Sequence, residues 1–275
     1  MKKIKSFYIR ISNFVKRYGI KEAIKKTFQK IFPGGKPSER KKNIKKDTGF
    51  IPGSLNNIDS ELSRRYPGMK PLQLVTTAMR KPTINLVIDC ITEENQSGDA
   101  AVPLIFSTLM SKRIDMPLRI ISRTKRPQKR YFGAALKKAG LTYDKDVEFI
   151  FSDPMIVEEL FLINNNDLFI TTSWWTTKSI MDSFAKEKMI YLILENEEKL
   201  SSPGKEVEIC LEVMKDEEIN IVIKSEQLFD QLMSEGFENI RNNANWFDFP
   251  TNDWEKSFVK IYSWLEKRDS IKCIK

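Results

Sequence analysis

The chain is expected to fold as an α/β protein whose main body is a Rossmann-like, doubly wound, mostly parallel sheet, preceded by a basic amphipathic helix. Three observations carry this expectation. From residue 83 onward, short apolar runs alternate with longer amphipathic ones. The apolar runs are near-continuous in Ile, Leu and Val, as strands buried on both faces are. The net charge of +9 is confined to one end: residues 1–50 hold 16 Lys and Arg against three acids, whereas the remainder holds 30 against 34.

With 275 residues, 41% hydrophobic and 30% charged, the chain is long and apolar enough for one large domain or two small ones, which excludes disorder over its whole length. Histidine is absent. That removes Ser-His and Cys-His nucleophile pairs, His-ligated zinc and haem, and a histidine general base, so any proton transfer falls to carboxylates, Lys, Tyr or Cys. Cys90, Cys210 and Cys273 are far apart with no C-x-x-C spacing; they read as reduced thiols of a cytosolic protein, and no metal site is expected. Basic residues interrupt the N-terminus at positions 2, 3, 5, 10, 16 and 17, and the apolar run Ile84–Ile91 is short and contains Asp89. Neither an ordinary signal peptide nor a spanning helix is expected.

Residues 1–32 read as the basic amphipathic helix. Ile4, Phe7, Tyr8, Ile11, Phe14, Val15 and Tyr18 follow helical spacing, and Ala23, Ile24, Phe28, Ile31 and Phe32 resume it after Gly19. Such a segment suits the headgroup region of an anionic membrane, with Phe7, Phe14, Phe28 and Phe32 burying apolar area and Lys16, Arg17, Lys25 and Lys26 facing the phosphates. Two alternatives stay open: a helix packed on its own domain with a solvated basic face, and a nucleic-acid arm. Nucleic acid ranks last because phosphate binding needs no apolar stripe. Pro33, Gly34 and Gly35 stop the helix, and residues 33–53 read as a flexible linker. Residues 54–82 form a connecting segment of mixed pattern, with a short helix candidate at Asp59–Arg65 and a Tyr66-Pro67-Gly68 turn.

The Rossmann-like domain spans residues 83–241. Its strand candidates are Ile84–Cys90, Leu118–Ser122, Val147–Phe151, Asp167–Thr171, Met189–Leu194 and Ile219–Ile223; helices are expected at about 101–112, 129–139, 155–163, 175–186, 206–214 and 225–235. Residues 242–275 close the chain, with Trp254, Phe258, Ile261 and Leu265 at helical spacing and expected to pack on the main domain.

Sheets of this kind bind ligands beyond the carboxyl ends of their strands, so the loops after the strands hold the candidate site. The first loop, Thr92 to Ala101, has Ser97, Gly98 and Asp99 before a helix. It is no dinucleotide fingerprint, having one glycine where three are needed; Gly98 as a turn and Asp99 as a helix cap is the competing structural reading. The fourth loop carries Thr172, Ser173, Trp174, Trp175 and Thr176. Paired Trp ringed by hydroxyls offers an apolar face with polar handles, as a sugar ring requires, or else covers the sheet edge. The fifth supplies Glu195 and Glu197, placed to orient a hydroxyl or act as a base, or simply solvated.

The string Thr172-Ser173-Trp174-Trp175-Thr176, followed by Tyr191-Leu192-Ile193-Leu194-Glu195-Asn196-Glu197 and Ser202-Pro203-Gly204-Lys205-Glu206, resembles the N-terminal domain of WsaF-type rhamnosyltransferases over roughly residues 83–240. These are GT-B glycosyltransferases of retaining family 4. The resemblance implies a GT-B N-terminal-domain-like fold that mainly holds the acceptor glycan, with a nucleotide sugar as donor substrate and no other cofactor. The sequence departs from the family where a Gln-Asp-Tyr-Glu-like string becomes Leu194-Glu195-Asn196-Glu197 and a Gly-Gly pair becomes Gly98 and Asp99. Only about 40 residues follow Glu235, whereas a second GT-B domain needs on the order of 150.

Taken with the resemblance, these features imply a glycosyltransferase-like protein, transferring a rhamnosyl or hexosyl unit to a cell-surface polysaccharide or lipid-linked glycan at the inner face of the membrane. Asp99 and Glu195 are its candidate catalytic groups; Ser97, Gly98, Thr172, Ser173, Trp174, Trp175, Thr176 and Glu197 are its candidate substrate-binding groups. The alternative is a non-catalytic acceptor-binding or scaffold subunit whose partner chain supplies the donor domain. A weaker third reading is a membrane-associated module unrelated to sugars, with both Trp in the core.

Overall fold

A computed structural model of the protein describes residues 60–156, 159–195, 204–237, 239–247 and 253–268. The chain divides into two compact units, Met1–Lys46 and Asp47–Lys275, and all described residues belong to the second. The expected helix 1–32 with its membrane-facing residues, the linker 33–53, Glu197 and Cys273 lie outside the described residues.

Seven strands form one parallel sheet: β2 (Ile84–Ile88), β3 (Leu118–Ser122), β4 (Val147–Phe151), β6 (Leu168–Thr171), β7 (Met189–Ile193), β8 (Asn220–Ile223) and β9 (Ala244–Trp246). They lie in the order β4-β3-β2-β6-β7-β8-β9. Every residue of β2, β3, β6, β7 and β8 is buried, which is why these runs lack polar alternation. Their side chains still divide by parity. Leu86, Ile120, Ile170, Leu192 and Val222 point to one core; Val87, Ile121, Phe169, Tyr191 and Ile221 point to the other.

Helices cover both cores. On the first face lie α2 (Val102–Ile114), α3 (Lys129–Lys138) and α8 (Trp254–Lys267); on the second lie α1 (Ser60–Arg65), α4 (Trp174–Met181), α5 (Lys205–Met214), α6 (Glu226–Ser234) and α7 (Ile240–Asn243). Helix α8 inserts Phe258, Ile261, Tyr262 and Leu265 into the first core, with Trp254 packed beside them. Each large side chain so buried contributes about 1.5–3 kcal/mol. Among the described residues no helix is long and apolar enough to cross a membrane.

Polar clamps hold the amino ends of the strands. Asp167 accepts from the Thr83 backbone N–H at 2.8 Å and from Asn85 Nδ2 at 3.0 Å, tying β2 to β6. Asn220 Nδ2 donates to the Glu187 and Met189 carbonyls at 2.9 and 3.0 Å, and Arg268 Nε donates to Asn220 Oδ1 at 2.8 Å.

The helix expected at 155–163 is not there. Instead β5 (Leu160–Ile163) pairs in parallel with β1 (Gln73–Thr76) as a separate two-stranded sheet. Leu160 and Leu162 are exposed while Phe161 and Ile163 are buried, so the local period is two and not 3.6. The fully buried Arg119 stitches this ribbon to the main sheet, its Nε donating to Glu148 at 2.9 Å and its Nη1 to the Leu162 carbonyl at 3.3 Å. Segment 60–82 is likewise part of the packed structure, with Leu62, Met69, Leu72 and Leu74 in the second core.

Candidate functional site

From β2 the chain moves outward to β3 and β4, then returns to lay β6, β7, β8 and β9 on the other side of β2. Strand order therefore reverses between β2 and β6, and the crevice beyond their carboxyl ends is where doubly wound sheets bind ligands. A cleft of about 610 Å³ occupies that place, lined by residues from three successive regions: Asp89, Cys90, Thr92, Glu94 and Asn95 after β2; Thr172 to Trp175 after β6; and Leu194 and Glu195 after β7. Its volume is that of a small-molecule site.

Asp89 is the central polar group. It ends the first apolar run, and both carboxylate oxygens lie within hydrogen-bond reach of the Trp175 indole N–H, at 2.9 and 3.0 Å. Burial raises its pKa above the ordinary carboxylate value, opposed by the Trp175 bond and by the Arg123 charge. Burial and the Asp89 charge also push up the neighbouring Cys90 thiol, which keeps it protonated and a poor nucleophile.

Behind this pair stands a support built from sequence-distant parts. Arg123, 1% exposed, donates to the carbonyls of Gly68, Lys70 and Ser152 and to Ser152 Oγ. Burial lowers its pKa to about 10, opposed by Glu159, Asp89 and Asp153, so it stays charged at neutral pH. Gly68 sits against the pair: a Cβ there would lie 3.0 Å from Asp89 Oδ1 and 3.3 Å from Trp175 Cδ1. Tyr66 packs on both indoles, its ring centre 4.8 Å from Trp174 and 5.2 Å from Trp175.

The two tryptophans divide the roles that the sequence left open. Trp174 is 1% exposed and belongs to the second core, although it borders the cleft, whereas Trp175 is only half-buried. Most of the nearby hydroxyls serve the start of α4. Ser173 Oγ and Thr176 Oγ1 lie 2.9 Å apart, Thr176 N–H donates to Ser173 Oγ, and Thr171 and Thr177 bond each other at 2.7 Å. Thr176 is fully buried and does not line the cleft; Thr172 is half-exposed and does.

The remaining candidates are spread. Glu195 is exposed and lines the cleft. Ser97, Gly98 and Asp99 lie outside its lining. Gly98 makes the expected turn at φ 63°, but Asp99 does not cap α2; it forms an ion pair with Lys224 at the end of β8. The Thr92 loop is held instead by Asn95, which accepts from Thr92 N–H at 2.8 Å and donates to the Ala100 carbonyl at 3.0 Å.

Sequence reasoning did not single out Asp89, Arg123, Tyr66 or Gly68. A charged residue ending a buried apolar run is the signal that Asp89 and Arg123 share, and the Tyr66-Pro67-Gly68 turn was legible as a turn. Nothing local shows that they meet.

The cleft is acidic and half apolar. Asp89, Glu94 and Glu195 line it, and no Lys or Arg is among its described lining residues. Such a surface disfavours a diphosphate through like charge, and it suits a neutral polyol, whose hydroxyls donate to carboxylates while its C–H face rests on an indole. Residues 83–200 match the family model described as WsaF, N-terminal domain, a span that contains every cleft-lining residue. The match gives this part of the chain glycosyltransferase-like character. No curated protein matches the chain.

Proposed function

Because residues 83–200 match the WsaF N-terminal domain model, we propose that the protein holds a saccharide acceptor during glycosyl transfer, in the cleft between the carboxyl ends of β2 and β6. The observation that carries this reading is the acidic, indole-backed lining, in which the described residues include no cation. Asp89, steadied by Trp175, orients an acceptor hydroxyl; Thr172 and Glu195 offer further polar contacts; the Trp175 ring supports the sugar face. A donor diphosphate has to be neutralised outside this cleft, on another surface or on a partner chain, because the lining repels it.

The finer reading is transfer of a rhamnosyl or hexosyl unit from a nucleotide sugar to a lipid-linked or cell-surface glycan. The basic, Phe-rich segment 1–32 would keep the protein on the anionic inner face of the membrane. Glycosyl transfer of this kind depends on positioning and on charge stabilisation, which the absence of histidine does not impede.

Titrating neutral oligosaccharides into the wild type and Trp175→Ala tests the cleft. The substitution is expected to weaken glycan binding about tenfold or more, as loss of a stacked aromatic contact and of the Asp89 partner would, while the protein stays folded. A collapse of thermal stability with unchanged glycan affinity would show Trp175 to be a core residue and remove the reading. The membrane part has its own test: deleting residues 1–32 is expected to abolish sedimentation with anionic liposomes, and undiminished sedimentation would refute surface anchoring by that segment.

A further inference from the structure

Beside the acidic cleft stands a loop of opposite charge. The connection from β3 to α3 reads Arg123-Thr124-Lys125-Arg126-Pro127-Gln128, and α3 opens with Lys129 and Arg130. Since β3 is the neighbour of β2, this loop emerges at the same end of the sheet as the cleft. It is fastened there directly: Arg123 N–H and Thr124 N–H both donate to the Asp89 carbonyl, at 3.0 and 2.7 Å, and Thr124 Oγ1 donates to it at 2.9 Å. Helix α3 packs against the Glu93–Gln96 turn of the cleft-lining loop.

Lys125, Arg126, Lys129 and Arg130 are all exposed. Among the described residues none of them forms an ion pair. Aromatic rings set the position of three: Arg126 lies 5.7 Å from the Phe151 ring centre, Lys129 5.4 Å from that of Phe149, and Arg130 4.6 Å from that of Tyr131, whose hydroxyl accepts from Arg130 at 2.7 Å. The arrangement works against stability. Four cations within six positions repel one another, and two of them occupy the positive end of a helix whose first turn holds no acid, at about 0.3–1 kcal/mol each. Among the described residues no ion pair offsets that charge, which leaves the cluster open to an anion from outside the chain.

We propose that Lys125, Arg126, Lys129 and Arg130 bind the phosphate or diphosphate group of a substrate whose saccharide occupies the neighbouring cleft. The saccharide part rests on the acceptor reading above; the phosphate part rests on the loop alone. Guanidinium and ammonium groups in one cluster suit phosphate oxygens, and the acidic cleft next to them excludes the phosphate from the sugar position. The same diphosphate chemistry occurs in a nucleotide sugar and in a saccharide on a lipid carrier.

The test uses the full chain, inorganic pyrophosphate as probe, and amine acylation mapped by peptide mass spectrometry. Pyrophosphate is expected to protect Lys125 and Lys129 while leaving Lys137 and Lys138, at the far end of α3, reactive. In the Arg126→Gln/Arg130→Gln variant, half-protection of the two lysines is expected to need about tenfold more pyrophosphate, equivalent to about 1.4 kcal/mol. Equal protection of all four lysines would mean diffuse screening, and an unchanged half-point would mean that the arginines take no part; either overturns the proposal. So does protection by phosphatidylglycerol vesicles without protection by pyrophosphate, which would make the loop a membrane contact.

Competition by a nucleotide sugar against a saccharide on a short prenyl diphosphate then separates the two sources. Pyrophosphate protection together with silence of neutral glycans would sustain the phosphate site and remove the saccharide reading of the cleft. Glycan binding without protection would do the reverse.

Discussion

Replacing Arg123 with methionine is expected to destabilise the protein by about 3–5 kcal/mol, the range for removing one member of a buried charge network. Its guanidinium satisfies the carbonyls of Gly68, Lys70 and Ser152 together, and each would be left short of a donor. The carboxylates of Glu159, Asp89 and Asp153 would lose their nearby cation. Methionine fills much of the volume but donates nothing, so the loss is polar and not a cavity effect. Arg123→Lys is expected to rescue only part of it, because a single ammonium does not reproduce a fork that reaches carbonyls in two separate segments. The check is the denaturant midpoint at constant slope. A shift below about 0.5 kcal/mol, as for an ordinary surface change, would mean that Arg123 does not hold segment 66–70 against the sheet.

Asp89→Asn is expected to separate function from stability. The amide oxygen still accepts from the Trp175 N–H, so the local packing survives. The charge proposed to orient a ligand hydroxyl is lost, at about 1.5–3 kcal/mol for charge-assisted hydrogen bonds, or about ten- to a hundredfold in glycan affinity. The pH dependence supplies a second readout with a definite sign. Burial raises the folded pKa of Asp89, so its contribution to stability is fully present below the ordinary value of about 3.9 and is lost as pH rises through the elevated folded value. Wild type should therefore gain stability relative to Asp89→Asn as pH falls from about 7 to about 4. A difference in melting temperature that stays flat over this range would mean that Asp89 is not held in a desolvated place.

Much of the architecture is local in origin and was legible as such. Ile84–Ile88, Leu118–Ser122 and Met189–Ile193 are mostly apolar because both faces of each strand are covered, and their Ile, Leu, Val and Met content advertises that condition even though Asn85, Arg119 and Ser122 interrupt it. The helical spacing of Phe258, Ile261 and Leu265 likewise announced the buried face of α8. A cleft lies beyond the carboxyl ends of β2 and β6, as expected from parallel topology and not from any motif.

Chemistry that depends on which ends lie side by side was not legible. Asp89 and Trp175 are 86 positions apart and become partners only because β6 pairs with β2; Arg123 joins them from the end of β3, and Gly68 from a connecting segment whose pattern, apart from a short helix candidate at Asp59–Arg65, was mixed. The hydroxyl-rich string after β6 looked like a set of ligand handles, and most of its hydroxyls close the start of α4, because an unsatisfied helix end competes for the nearest oxygen. Leu160–Ile163 turned into a strand because β1 offered it an edge. Periodicity and composition thus state which residues have to be buried and in what kind of element, since those are averages over a short stretch of chain. Which polar groups face one another across a cleft depends on strand order and register, and these are settled only when the whole sheet packs between its two layers of helices.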